Sequence, residues 1–228
     1  MISIIIPVYN ETETIGKLLY YLKNKAASNT EIIVVDGGST DDTLTIAAAA
    51  GVRICQSALK GRASQMNTGA ALARGEILYF VHADSFPPVS FYRDIGEAIT
   101  AGYELGRYRT RFDSKKWLLR LNAFFTRFDW FVCYGGDQTL FITKILFEQL
   151  GGYNDQFQIM EEYDLVVRAK RRARYTILPK TVLVSARKYT YNGWWRVQKA
   201  NYTVIKMYRS GASQDEMVRQ YKKMLNGR

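Results

Sequence analysis

At 228 residues, with 47% hydrophobic and 23% charged residues, the chain can bury a full core, and its composition excludes wholesale disorder. The formal net charge of +11 is unevenly placed, since residues 1–164 carry 16 Lys/Arg against 19 Asp/Glu and residues 165–228 carry 16 against 2. So basic a last quarter implies an anionic partner (phosphate-bearing substrate, lipid headgroups or nucleic acid), or else it is the solvated face of a helix.

Residues 3–7 form an expected first strand; the apolar run is too short, and lacks the basic leader, for a secretory signal. Residues 12–24 read as a helix, with Ile15, Leu18, Leu19 and Leu22 on one face and Thr12 as its cap. A strand over 31–35 ends at Asp36-Gly37-Gly38-Ser39, a turn that leads into a helix over 43–50. A strand over 52–56, a helix over 63–73 and an apolar strand over 76–81 complete a βαβ pattern, which argues for a mostly parallel sheet. Ligands bind at the carboxyl ends of such strands. Residues 7–11, 36–39 and 82–84 are therefore expected to converge on one crevice.

Farther along, 104–111 reads as an exposed strand. Residues 115–132 read as a helix with Leu118, Leu121, Phe125, Phe128 and Val132 down one side. A loop over 134–138, a strand over 140–143, a helix over 144–150 and a turn at Gly151-Gly152-Tyr153 follow. A helix over 161–173, an extended stretch over 175–178 and an aromatic, basic helix over 194–209 finish the reading. One domain over 1–188 with a basic helical tail over 189–228 is expected. The two cysteines, Cys55 and Cys133, match no metal-ligand spacing and read as buried thiols in a reducing cytoplasm. No apolar stretch reaches the length that spans a bilayer.

Several strand ends carry candidate chemistry. Asp36, before a double glycine, is placed either to accept hydrogen bonds from a base or ribose or to shape an Asx turn. Asp84, just past an apolar strand, suits a hard divalent cation bridging phosphates, or a cap on the Pro87 turn. His82, the lone histidine, reads as a packed, supporting residue. Gly61, Arg62 and Ala63 open a helix whose amides and guanidinium suit a phosphate, although a surface arginine there is equally ordinary. Glu161, Glu162 and Asp164 stand at a helix start that favours acids; repulsion between Glu161 and Glu162 raises one of them toward a general base's range.

Taken together, Ile4-Ile5-Ile6-Pro7-Val8-Tyr9-Asn10-Glu11, Val34-Val35-Asp36-Gly37-Gly38-Ser39, Gly61-Arg62-Ala63 with Asn67, Phe80-Val81-His82-Ala83-Asp84, Gly151-Gly152-Tyr153 and Glu161-Glu162-Tyr163-Asp164 resemble the family 2 glycosyltransferases, in order and spacing to about Arg172. The resemblance implies an α/β GT-A fold and an inverting, in-line transfer of one sugar from a nucleotide diphosphate donor, most often a UDP-sugar, to an acceptor hydroxyl. By it Pro7, Val8, Tyr9, Glu11, Asp36, Gly61, Arg62, Ala63, His82 and Asp84 bind the nucleotide. Asp84 holds Mg2+ or Mn2+ as the metal end of Asp-x-Asp, and Glu162 is the catalytic base. His82 replaces the first Asp of that motif and Glu162 the usual Asp of the Glu-Asp pair. The absence of Gln-x-x-Arg-Trp implies a non-processive hexosyltransferase. The segments Gly135-Gly136-Asp137-Gln138 and Ser185-Ala186-Arg187 look like a subgroup labelled arsenosugar-biosynthesis glycosyltransferases, with Asp137 and Arg187 at acceptor or diphosphate.

The helix over 194–209 mixes Trp194, Trp195, Tyr202 and Tyr208 with Arg196, Lys199, Lys206 and Arg209, which suits a headgroup surface and a lipid-linked acceptor. A homodimer contact or packing over the sheet explains the same stripe. Two competing readings are a nucleic-acid-binding protein using the basic tail and a catalytically inactive sugar-nucleotide sensor. The recognisable motifs lie in the acidic part of the chain, so nucleic acid is not the expected partner.

Overall fold

The computed structural model describes residues 1–135 and 138–225. The first half alternates as its periodicity requires: β1 (Ile2–Val8), α1 (Ile15–Lys25), β2 (Thr30–Asp36), α2 (Thr43–Ala49), β3 (Arg53–Gln56), α3 (Arg62–Leu72), β4 (Ile77–Phe80). After the two-residue β5 (Ser85–Phe86) come α4 (Phe91–Thr100), β6 (Leu105–Phe112), α5 (Trp117–Phe125), a 3-10 turn (Phe131–Cys133), β7 (Leu140–Thr143) and α6 (Lys144–Gln149). The chain continues through α7 (Glu161–Lys170), β8 (Tyr175–Val184), α8 (Arg187–Asn192), α9 (Trp194–Arg209) and α10 (Gln214–Met224).

All eight strands join one sheet in the order β3-β2-β1-β4-β7-β6-β8-β5. β3, β2, β1 and β4 are parallel, β7 runs antiparallel to β4 and β6, and β6 pairs in parallel with β8. Every residue of β1 is buried, because the sheet is covered on both faces. Alternation sorts its side chains: Ile4, Ile6 and Val8 pack with Leu18 of α1 and Ile95 of α4, while Ile5 faces Met66 of α3, Leu165 of α7 and Val204 of α9. The result is a helix–sheet–helix sandwich. Gly69 of α3 makes one close approach possible, since a Cβ there would lie 2.4 Å from Ile5 Cγ2.

Five expectations need correction. The strand expected to be exposed over 104–111 is β6, whose Leu105, Gly106, Arg107, Tyr108 and Thr110 are buried because it lies inside the sheet between β7 and β8. The helix expected over 115–132 ends at Phe125, and of α5 only Leu119 is buried; Leu121, Phe125 and Val132 point outward. The cause is Arg107, buried at 1% exposure, whose Nη1 and Nη2 donate to the carbonyls of Thr126 and Phe128 at 2.7 and 3.1 Å. Those acceptors are lost to a continuing helix, and the chain turns. The strand expected over 175–178 runs on to Val184, because β8 resumes pairing with β6 after a register shift that accommodates Pro179. Thr14, not Thr12, stands at the N-cap of α1, since residues 11–13 are tied to the neighbouring loop. Cys133 is buried as expected, but Cys55 is only half-buried, and both are free thiols.

α4 adds a helix to the sequence reading, and its buried Phe91, Ile95 and Ala98 hold it on the sheet. In the tail, Val204, Ile205 and Met217 join the main core, while Val197 packs with Leu119 and Tyr189. Ser213 and Glu216 form a capping box that starts α10. Among the described residues no helix is long and apolar enough to cross a membrane.

Candidate functional site

Parallel pairing brings the carboxyl ends of β1, β2 and β4 to one edge, with Val8 opposite Asp36 and Ile5 opposite Phe80. Gln65 of α3, buried, locks this edge: its Nε2 donates to the carbonyls of Val8 and Val35 at 2.7 and 2.8 Å. The β1–α1 and β2–α2 loops are knitted to each other. Asn10, in the left-handed region at φ 53°, accepts from the Thr40 amide at 2.9 Å; its own amide donates to Ser39 Oγ, and the Glu11 amide donates to Thr43 Oγ1 at 2.8 Å. Asp36 is 1% exposed and accepts from the amides of Gly38 and Ser39 at 2.9 and 3.1 Å. Its carboxylate therefore shapes the turn, and Tyr9, 58% exposed, lies at the open surface.

A charge network crosses this edge. Arg187, at the start of α8, makes a two-pronged pair with Glu11 at 2.6 and 2.7 Å, and its Nε lies 3.3 Å from Asp84 Oδ2. One guanidinium thus separates two carboxylates. On the other side of the β4 end, His82 Nε2 lies 3.7 Å from Glu162 Oε1. Arg62, after Gly61 at φ 121°, reaches Glu162 at 3.4 Å and Glu161 at 3.2 Å, while the adjoining Ala63 is buried. His82 and Asp84, two residues apart, therefore connect Glu162 to Arg187 and Glu11.

The start of α7 is set unusually. Met160, its N-cap residue, has φ 68°, a left-handed conformation that costs a non-glycine residue on the order of 1 kcal/mol. It delivers two adjacent acids into the interior. Burial, then repulsion from Glu162, pushes the Glu161 carboxyl up to about 7. The repulsion expected between the neighbouring acids thus acts on Glu161. The Tyr153 hydroxyl is buried beside them with no hydrogen-bond partner, and burial raises its pKa well above the usual range. Asp164 turns away and pairs with Arg168 at 2.7 Å.

Among the described residues no group of three or more His, Cys, Asp or Glu is placed to hold a metal. Asp84, with His82 two residues away and Glu11 across Arg187, offers too few donors for a closed cage. The donor set fits Mg2+ or Mn2+ only if most coordination positions are filled by substrate phosphates and water, which is how such ions commonly bind.

Asp137 lies outside the described residues. The structure brings Glu11, Arg187 and Asp84 into one cluster and His82, Arg62 and Glu162 into a second, joined by the two-residue step from His82 to Asp84, and places Asp36 on the same edge with its oxygens turned into its own loop. Two side chains of α3 support the site: Gln65, which sequence reading missed, and Asn67, one of the residues that carry the family resemblance, which accepts from the Tyr153 amide at 2.9 Å and donates to its carbonyl at 2.8 Å. For Gln65 the one signal was a polar side chain on the sheet-facing side of α3.

The profile of glycosyl transferase family 2 matches residues 3–152. A PGL/p-HBAD biosynthesis glycosyltransferase of Mycobacterium bovis is 27% identical over 181 residues, covering 74% of this chain and 69% of the relative. An uncharacterized glycosyltransferase of Rickettsia prowazekii is 28% identical over 183 residues, 72% of this chain and 57% of its own. Among solved structures, a mannosyltransferase from Pyrobaculum calidifontis in complex with GDP-Man and Mn2+ superposes with a TM-score of 0.72 at 18% identity, covering 98% of this chain and 69% of that one. Residues 1–349 of S. aureus TarS in complex with UDP-GlcNAc superpose at 0.70 and 17% identity, over 99% and 71%. At such identities the structures establish a common GT-A fold, with its mixed, mostly parallel sheet.

Proposed function

We propose, on the premise that this chain belongs to glycosyl transferase family 2, that it moves one hexosyl unit, with inversion, from a nucleotide diphosphate donor to an acceptor hydroxyl, with Glu162 as general base. The observation that carries this reading is that His82, two residues before Asp84 and just past the end of β4, lies 3.7 Å from Glu162, at the edge where β1, β2 and β4 end. Tyr9 and Glu11 face the base and ribose side, where the buried Pro7, Val8 and Asp36 shape the loops that would meet the nucleotide, a UDP-sugar being the favoured donor, and Gly61, Arg62 and Ala63 lie toward the diphosphate. Residues 1–188 form the transferase domain in this reading, with 189–228 as its tail.

Asp84 would hold Mg2+ or Mn2+, which supplies positive charge to the departing diphosphate. Relatives in fold support the choice: the Pyrobaculum enzyme and a Mycobacterium tuberculosis glucosyl-3-phosphoglycerate synthase were both solved with Mn2+. Arg187 neutralises Glu11 and Asp84 before the donor arrives and offers a fixed cation beside the diphosphate. Glu162, held by Arg62 and His82, accepts the acceptor's proton as its oxygen attacks, and His82 fixes which carboxylate oxygen faces the crevice. The finer likeness to the arsenosugar-labelled subgroup rests on Ser185, Ala186 and Arg187.

The test is a thermal-shift screen of nucleotide sugars with and without Mn2+, because a ligand raises stability by mass action. Asp84→Asn is expected to abolish the Mn2+-dependent part of the shift, and an unchanged shift would remove Asp84 from the site. Glu162→Gln is expected to keep donor binding and stop transfer; continued turnover would place the base elsewhere.

A further inference from the structure

The side of the molecule carrying α5 is apolar where water meets it. Trp117, Leu121, Phe124, Phe125, Trp130 and Val132 are 36–69% exposed, six of the fifteen exposed large hydrophobic side chains among the described residues, gathered within sixteen positions. A soluble surface scatters such residues singly. Here their rings lock together: Phe128 stacks on Trp130 at 4.7 Å, Phe125 on Trp130 at 5.8 Å, and Phe124 meets both Phe125 and Phe128. The buried Arg107, bonded to the carbonyls of Thr126 and Phe128, holds this arrangement from below.

Phe124 also lines a groove of about 650 Å³ between α5 and the β6–β8 pair, whose wall carries Arg109, Arg111, Lys115, Arg120 and Arg127 and no acidic residue. Arg109 Nε is buried there with no hydrogen-bond partner, and Arg127 lies over the Phe124 ring at 3.9 Å. Cations and exposed aromatics thus share one face.

We infer that this face docks the protein on an anionic lipid bilayer, the ring cluster entering the interface while the groove's cations meet phosphate headgroups. Charge decides against a second copy of the chain, since a two-fold contact would set five cations against five. Ring geometry decides against nucleic acid, since Phe125, Phe128 and Trp130 stack on one another and leave few open faces for bases. This surface differs from the aromatic stripe of α9 and does not depend on the transferase reading. It does adjoin the site: the Phe131 ring packs 5.1 Å from Tyr163, the neighbour of Glu162.

The experiment is sedimentation of the full chain with vesicles of phosphatidylcholine alone or of equimolar phosphatidylcholine and phosphatidylglycerol, at low salt and at about 0.5 M salt, where surface charge is largely screened. The parent is expected to pellet with anionic vesicles and to lose most of that binding at high salt. Phe124→Ser with Phe125→Ser and Trp130→Ser should weaken partitioning by at least about tenfold. Arg120→Gln with Arg127→Gln should remove most of the salt-sensitive part, and Trp195→Ser with Tyr202→Ser should leave binding unchanged. All these side chains are exposed, and an unaltered urea midpoint certifies the fold of each variant. The inference is overturned if the parent does not pellet, if the triple variant pellets like the parent, if only the Trp195/Tyr202 variant loses binding, or if oligonucleotides bind more tightly than vesicles.

Discussion

Replacing Glu161 with glutamine is expected to make stability less dependent on pH between about 4.5 and 7. Glu161 is 2% exposed, its Oε1 has no hydrogen-bond partner, and its nearest cation is Arg62 at 3.2 Å. Folding raises its pKa from 4.5 to about 7, first through burial and then through the Glu162 charge. Below pH 4.5 the group is protonated in both states and contributes fully; between 4.5 and about 7 the unfolded chain ionises while the native state keeps its proton, so stability falls as pH rises. At 1.36 kcal/mol per pKa unit, the loss is about 3 kcal/mol. A glutamine side chain at this position would have the same shape and no titration. Urea midpoints at pH 5 and pH 8.5 should show the parent losing about 1 M more than the variant, given a slope of about 3 kcal/mol per molar. Parallel loss in both proteins, or a greater loss in the variant, would refute a buried, proton-retaining Glu161.

Arg107→Met keeps the volume but strands the carbonyls of Thr126 and Phe128 and the Tyr175 hydroxyl, which Arg107 Nε reaches at 2.6 Å. A loss of about 2–4 kcal/mol is expected in chemical unfolding, and a change under about 0.5 kcal/mol would show the arginine to be dispensable. Gly69→Ala places a methyl 2.4 Å from Ile5 Cγ2 and 2.9 Å from Val35 Cγ2, so α3 must move off the sheet at a cost of about 1–3 kcal/mol. An unchanged melting temperature would contradict that close approach. Arg187→Met leaves Glu11 and Asp84 facing each other without the guanidinium between them. The variant is expected to melt lower without metal and to recover part of the loss with millimolar Mn2+; a melting temperature indifferent to Mn2+ would mean the two carboxylates do not share a site.

Local chemistry carried much of this protein. The run Ile2–Val8 has a side chain for each face of a covered sheet, and the spacing of Ile15, Leu18, Leu19 and Leu22 allows one buried helical stripe, so β1, α1 and their successors up to β4 could be read in order, if not to the residue. The candidate acids were legible for the same reason, since the end of an apolar strand marks where the chain reaches the edge of the sheet, as at Asp36 and Asp84. The second half was harder because its outcome is nonlocal. Thr126 Oγ1 and Arg127 Nε cap the carbonyls of Ala123 and Phe124 locally, but the carbonyl of Thr126 is claimed by Arg107, nineteen residues earlier in the chain. The continuation of β8 past Pro179 depends on a partner strand, and Glu11 meets Arg187 across 176 residues. Periodicity reports which face of an element is apolar. Which buried polar group claims a given carbonyl or carboxylate is settled only when the layers close and water leaves, because an unpaired polar group then carries a free-energy cost that solvent had been covering.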